Sequence, residues 1–391
     1  MSRVLISLVG GRPLPNILVA LHLKPDHLYL VVSQDSLGPH GNYEKAVNAL
    51  PGHLRPAQPF AVRPYVLQET FDRCQSLAEQ HIRDEIIFNS ASEPKTMALG
   101  AYEIAKQLKA EGRHVDLCYL SRDGLVWVFN GQAESVKIGI RDYFASYGWR
   151  VNFKTDAASD KLKALASLLV ENLSVSTRVL SVLRGHDDVR AGKQTVEYRQ
   201  RLTDEEFAWL KQVEALQILS AVRREEGNAC LTFNSVADGR LLLGGEWLEY
   251  HLYRTAAALT YESGKPLFDE CGWGLQEAGG KGEIDFTGIF GGQVILTSCK
   301  TESTVKRHWF EEVHSKAEQL GKGMSSTLLV STISRRHRTK NDLQNYARWA
   351  RERHIVLVFA EEIPQLPAIL RKIVAADPKA EPLEVPCYPR I

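Results

Sequence analysis

The chain opens on Val4-Leu5-Ile6-Ser7-Leu8-Val9, an almost unbroken apolar run of the kind found in strands buried on both faces of a parallel sheet. It gives way to Gly10-Gly11-Arg12-Pro13-Leu14-Pro15-Asn16 and a helix-compatible segment, 17–23. A second strand is predicted over 27–32, ending in Ser33-Gln34-Asp35, and a third over 85–88, opening into the loop 89–97. A helix over 98–108 and a strand pair near 115–120 and 124–129 complete the pattern. Strand, loop and helix alternate, which implies an α/β domain with a largely parallel sheet and right-handed crossovers.

The signal weakens from 151 to 200, where 161–175 is helical in pattern and 187–198 is a polar connector. Thr203-Asp204-Glu205-Glu206 reads as a helix start, with Thr203 as N-cap. Phe207, Leu210, Val213, Leu216 and Leu219 keep helical spacing to about residue 226. Strand-like runs at 229–233 and 240–243 follow, so this stretch is either a winged-helix-like spacer or a plain linker. Gly244-Gly245-Glu246-Trp247-Leu248-Glu249 then opens another helix. After it come a hairpin over 282–301, a helix over 308–320, a strand over 327–331, a helix over 342–353, a strand over 355–359 and a helix over 366–375. This is a second α/β unit.

The hairpin carries the densest chemistry. Two β-branched and apolar runs meet at Gly291-Gly292, a two-residue turn signal. If those glycines form the whole loop, Asp285 lies opposite Ser298 and Glu283 opposite Lys300, all on one face. Two acids, a hydroxyl and an ammonium in one patch suit phosphodiester hydrolysis: a carboxylate can hold a divalent cation and a lysine can steady developing charge. Ordinary cross-strand charge pairing explains the same residues without catalysis. In the first domain, ligands of such sheets bind beyond the carboxyl ends of the strands, here at loops 10–16, 33–35, 89–97 and 121–123. Their Gly, Ser, Asn, Lys and Arg content suits a phosphate, with Arg12 or Lys95 neutralising charge, and equally suits common turn chemistry. No Walker A or Gly-x-Gly-x-x-Gly pattern occurs, which argues against an ATPase or a dinucleotide dehydrogenase.

Composition narrows the class. At 391 residues the chain needs two or three domains, and 44% hydrophobic with 24% charged residues describes a soluble globular protein. No apolar run reaches bilayer length and no signal-peptide pattern is present, so a cytoplasmic protein with no membrane partner is expected. Cys74, Cys118, Cys230, Cys271, Cys299 and Cys387 lack metal-ligand spacing and read as reduced thiols. A net charge of +1 gives no global attraction to nucleic acid. Local basic runs, Lys306-Arg307-His308 and Arg335-Arg336-His337-Arg338, are either strand-binding patches or solvated charge.

Taken in order, these segments resemble a known family. Gly244–Glu249, Glu283-Ile-Asp285 and Ser298-Cys-Lys300-Thr301 resemble the restriction-endonuclease-like, PD-(D/E)xK nuclease domain. The 9–16 and 89–97 loops resemble the CRISPR-associated Rossmann-fold (CARF) sensor domain. Together they resemble the CRISPR ancillary nucleases of type III systems, homodimers activated by cyclic oligoadenylate, most often cyclic tetra-adenylate. The resemblance implies a CARF domain over 1–147, a connector, winged-helix-like or plain, over 148–240 and a nuclease domain over 241–391. It implies a Mn²⁺- or Mg²⁺-dependent nuclease acting on RNA and/or DNA in antiviral defence. Carried over, Asp285 is the metal-binding acid, Glu249 the helical acid and Lys300 the transition-state lysine; Glu283, Glu249 or water completes the metal site, and the Cys299 backbone carbonyl is a further ligand such sites can use. Glu246 and Glu283 are secondary candidates. Ser298 departs from the pattern, standing where the family places Asp or Glu; a hydroxyl is a poorer ligand for either ion. Gly10, Gly11, Arg12, Pro13, Asn16, Ser33, Gln34, Ser90, Ser92, Lys95 and Thr96 carry over as activator contacts, and a two-fold dimer would match a symmetric cyclic ligand. Two other functions use the same residues: a cyclic-oligoadenylate-gated transcription regulator with a degenerate nuclease domain, and a ring nuclease degrading the activator. The acids along 203–226 argue against a DNA-recognition helix there.

Overall fold

The computed structural model of the chain describes residues 1–375 apart from 39–40, 92, 122–123, 157, 185–193, 199–200, 226–227, 281, 303 and 322–323. Ser92, Cys387 and much of the 187–198 connector therefore lie outside the described residues. The chain forms two compact units, one of residues 1–151 with 277–279 and 289–293, the other of 152–276, 280–288 and 294–391.

The first unit is built on a sheet of seven strands: β1 (Arg3–Val9), β2 (His27–Ser33), β3 (Pro59–Val62), β4 (Glu85–Asn89), β5 (Val115–Ser121), β6 (Gly124–Trp127) and β7 (Ala133–Glu134). Their order is β3-β2-β1-β4-β5-β6-β7. The first five run parallel, and β6 and β7 add an antiparallel edge. Val4, Ile6, Leu8, Ile86 and Phe88 lie in one core with Met97, Ile104 and Leu108 of the helix Lys95–Ala110. Burial on both faces is why β1 reads as a continuous apolar run. The strand order reverses between β1 and β4. The loops leaving those two strands, 10–13 and 90–94, thus flank the switch point where open α/β sheets bind ligands.

The second unit contains a sheet ordered β16-β15-β14-β13-β12-β8, made of β8 (Val151–Lys154), β12 (Glu270–Glu277), β13 (Glu283–Phe290), β14 (Gln293–Lys300), β15 (Ser325–Ser331) and β16 (Ile355–Val358). β14, β15 and β16 are parallel. The helix Arg307–Gly321 packs Trp309, Phe310 and Val313 with Leu329 and Leu357 of this sheet. A separate antiparallel sheet is ordered β10 (Leu219–Glu225), β11 (Asn228–Phe233) and β9 (Thr195–Tyr198).

Three predicted elements change form here. The helix begun by the Thr203–Glu206 capping box ends at Ala215, and left-handed Gln217 (φ 57°) turns the chain into β10, so Leu219 belongs to a strand. Residues 240–243 lie in the helix Val236–Leu243, because the Ser235 hydroxyl accepts from the Asp238 amide as an N-cap. The segment 161–175 divides into two helices, Asp160–Glu171 and Leu173–Arg184, bent by 110° at their junction. Among the described residues no single helix is long and apolar enough to cross a membrane; that bent pair passes together by length and composition alone.

Candidate functional site

Gly291 and Gly292 alone join β13 to β14, with φ of 53° and 77°. Both values lie in the left-handed region that a type I′ hairpin requires and that only glycine enters without strain. The tight turn fixes the register, and Asp285 does meet Ser298. The Ser298 hydroxyl donates to Asp285 Oδ2 at 3.1 Å, and the Cys299 amide donates to the same oxygen at 2.6 Å. Lys300 Nζ stands 3.9 Å from it, with the lysine and aspartate side chains 23% and 15% exposed. Both hydrogen bonds and the lysine thus converge on one carboxylate oxygen, Oδ2. Glu283 is exposed.

Glu249 lies in the first turn of the helix Glu246–Ala257. An acid there is normally favoured by the helix dipole. Here burial pushes its carboxyl up to about 8, and Asp285, Glu283 and Glu246 push in the same direction against Lys154. Gly245 and Gly274 lie beside this carboxyl: a Cβ on Gly245 would stand 3.9 Å from Glu249 Oε1, and one on Gly274 3.9 Å from Oε2, both ordinary van der Waals contacts. Lys154 pairs with Glu246 and sits 4.4 Å over the Trp273 ring, so its charge is already engaged. The Cys299 thiol is raised well above its ordinary range by burial and then by Asp285 and Glu249, which keeps it neutral. Hard oxygen donors from Asp285, Glu249 and the Cys299 carbonyl fit Mg²⁺ or Mn²⁺ by chemistry, and the carboxylates crowding Glu249 are the kind of excess charge a cation cancels. Among the described residues no group of three or more His, Cys, Asp or Glu side chains could hold a metal ion.

Sequence reasoning missed Arg184. It ends the helix Leu173–Arg184, and its guanidinium donates to the Leu243 carbonyl at 2.8 Å, the Gly244 carbonyl at 3.4 Å and the Thr301 carbonyl. Burial lowers it to about 10. One cation thus ties the end of the Lys300 strand to the turn that starts the Glu249 helix. The basic runs are partly spent: Lys306 pairs with Glu302, Arg307 with Glu311 at 3.0 Å, and Arg335 with Glu362 at 3.2 Å.

In the first unit, the expected activator residues separate into two groups. Asn16 and Ser33 are buried, at 2% and 3% exposure. Asn16 Oδ1 accepts from Ser7 at 2.7 Å, and Asn89 donates to Ser7 at 2.7 Å, so Asn16 ties the first loop to β1 and β4. Ser33 shares a 2.8 Å hydroxyl bond with Ser36, which donates to the Gly10 carbonyl at 3.0 Å. Gly10 and Pro13 are likewise buried, whereas Gly11, Gln34 and Lys95 are exposed and Arg12, Ser90 and Thr96 partly so. Arg12 is close enough to Tyr143 and Tyr147 to oppose the burial that raises both phenols. The helix Lys95–Ala110 begins after Pro94 with no side-chain cap and no acid in its first turn, which leaves its amide end favourable to an anion.

No protein-family model and no curated protein matches the chain. Solved structures do. Protein VC1899 from Vibrio cholerae matches with a TM-score of 0.73 at 18% identity, over 95% of this chain and 98% of that one. Can2 from Sulfobacillus thermosulfidooxidans, in complex with cyclic tetra-adenylate, matches with a TM-score of 0.72 at 16% identity, over 95% and 97%. A type III CRISPR defence DNA nuclease activated by cyclic oligoadenylate matches with a TM-score of 0.52 at 20% identity, over 85% of this chain and 45% of that one. At these identities the likeness establishes the fold: over nearly its whole length this chain has the α/β fold of Can2.

Proposed function

We propose that the protein is a nuclease of type III CRISPR defence, dependent on Mg²⁺ or Mn²⁺ and activated by cyclic oligoadenylate, cyclic tetra-adenylate foremost. It works in the cytoplasm as a homodimer. Residues 1–147 are the CARF sensor, 148–240 the connector and 241–391 the nuclease domain. The observation that carries this reading is the convergence on Asp285: Ser298, the Cys299 amide and Lys300 on one oxygen, with Glu249 electrostatically coupled to it. The Can2 match, a structure holding cyclic tetra-adenylate, supports the choice of activator.

Asp285, Glu249 and the Cys299 carbonyl would hold the ion, with Glu283 beside them; such an ion lowers the pKa of water and polarises phosphate oxygen. The hairpin register and the two donors on Oδ2 orient Asp285. Lys300 stabilises charge on the phosphate as the water–phosphorus bond forms and the phosphorus–oxygen bond to the leaving nucleotide breaks. In the sensor, Arg12, Lys95 and the amide end of its helix take phosphates, Gly11 admits the ligand backbone, and Gln34, Ser90 and Thr96 offer polar contacts. Gly10, Pro13, Asn16 and Ser33 shape the loops from within. The ligand gates cleavage only by binding the active conformation more tightly than the resting one.

The test is cleavage of labelled RNA and DNA with Mn²⁺, with and without cyclic tetra-adenylate, beside Asp285→Asn. Cleavage that requires both the ligand and Asp285 is expected. Ser298 favours a second reading, a ligand-gated regulator with a degenerate site, because it places a donor where the family has an acid. Tight ligand binding with no cleavage of any substrate would select that reading.

A further inference from the structure

Lys316 is a second lysine at the nuclease site that neither the motif pattern nor the hairpin register singles out. It lies on the helix Arg307–Gly321 and its Nζ donates to the backbone carbonyl of Glu283, two residues before Asp285. A small recess is lined by Glu283, Ser298, Val313 and Lys316 among others, so Lys316 shares it with the position where the family pattern has an acid. Asp285, Glu312, Lys300 and Glu283 all act on its charge, which places it within electrostatic reach of both catalytic candidates. Among the described residues, its one hydrogen bond is to that carbonyl, and no carboxylate oxygen lies within 4.0 Å of it. An ammonium has three donors. One is used here, which leaves two for another acceptor.

The other lysines are differently disposed. Lys154 is committed to Glu246 and the Trp273 face. Lys300 is drawn to Asp285 Oδ2. With Ser298 in place of an acid, the recess carries one negative charge fewer, and a phosphate oxygen can approach Lys316 without meeting a carboxylate at residue 298. Building on the nuclease reading above, we infer that Lys316 contacts the substrate phosphate, a second cation for the same phosphodiester that Lys300 serves.

The experiment compares Lys316→Met and Lys316→Arg with wild type and Lys300→Met. Single-turnover cleavage is measured with cyclic tetra-adenylate and Mn²⁺, and binding of fluorescein-labelled single-stranded DNA and RNA oligonucleotides is measured over a salt series in the Asp285→Asn background. Thermal melts report whether each variant folds. Lys316→Met is expected to slow cleavage on the order of 10- to 100-fold and to lower the magnitude of the logarithmic salt slope of binding by about 1. Lys316→Arg should restore most of both, which a purely structural tie to the Glu283 carbonyl would not require. Wild-type rate and salt slope in Lys316→Met, with Lys300→Met inactive, would overturn the role of Lys316 and leave the nuclease intact. If wild type cuts nothing, the nuclease reading fails, and the salt slopes still decide whether Lys316 meets phosphate. Should Lys316→Met fail to fold, Lys316→Gln takes its place in both measurements.

Discussion

Replacing Glu249 by Gln removes a charge while keeping the shape of the side chain, and the effect on stability can be worked from its surroundings. Burial and three neighbouring acids raise the carboxyl from 4.5 to about 8 in the folded chain. A tenfold change in proton affinity is worth about 1.4 kcal/mol, so the full effect of that rise is about 5 kcal/mol. Its sign follows from proton linkage. The folded state holds the proton more tightly than the unfolded state, so folding takes up a proton between pH 4.5 and about 8. Stability contributed by this group is present in acid and is lost as pH rises through that window, reaching about 3 kcal/mol of loss near pH 7. Gln does not titrate. Glu249→Gln should therefore match wild type near pH 5 and exceed it by a margin that widens toward pH 8. Urea unfolding in EDTA, at four pH values from 5 to 8, measures this through tryptophan fluorescence, since Trp247, Trp273 and Trp309 are all buried in the same unit. Millimolar Mg²⁺ or Mn²⁺ should flatten the wild-type profile and leave the variant unchanged. A constant difference between the two proteins across the pH series would refute the reasoning, because it would place Glu249 outside the cluster of acids.

Other substitutions test separate parts. Lys300→Met should reduce cleavage on the order of 10²- to 10³-fold, with the affinity for cyclic tetra-adenylate by calorimetry unchanged. Lys95→Ala should weaken that affinity roughly 10-fold or more, the worth of a charge-assisted phosphate contact, without altering the melting of the second unit. Arg184→Met leaves three part-buried carbonyls without their donor and should destabilise the second unit by about 2 kcal/mol in urea unfolding, with Arg184→Lys recovering part of it.

The parts of the fold that were legible in the sequence are those encoded locally. Gly291-Gly292 fixes both a turn and a register, and the register alone brings Asp285 to Ser298. The apolar run of β1 and the loops that follow β1 and β4 likewise announce a parallel sheet. What was not legible depends on distance or on facing. Arg184 reaches the Thr301 carbonyl across 117 residues, and Lys316 reaches Glu283 across 33; no periodicity links such positions. Asn16 and Ser33 are polar residues in loop-forming stretches, and their type does not reveal that both turn inward to bond Ser7 and Ser36. Leu216 and Leu219 keep helical spacing, yet Gln217 in the left-handed region ends the helix between them, a backbone conformation that residue pattern does not encode. At 240–243 the apolar run is too short for periodicity to tell strand from helix, and the Ser235 cap decided it.

Ser298 bears on how the site holds an ion. In the family pattern an acid here would add a ligand; in this chain the hydroxyl donates to Asp285 Oδ2 at 3.1 Å instead. An acid at that distance from Asp285 would repel it, and would add to the carboxylates that already raise Glu249. On the proposed function the serine would exchange a ligand for a fixed orientation of Asp285, with Asp285, Glu249 and a backbone carbonyl as the oxygen donors. These three protein oxygens, with water and a substrate phosphate, would then serve one ion. Calorimetric titration of Mn²⁺ into the protein should therefore give one ion per chain, with affinity lost in both Asp285→Asn and Glu249→Gln. A stoichiometry of two would mean that Glu283 or Glu246 carries a second ion, and that Ser298 has not reduced the site. The same result would weaken the case for Lys316 at the phosphate, since a second cation would already stand there.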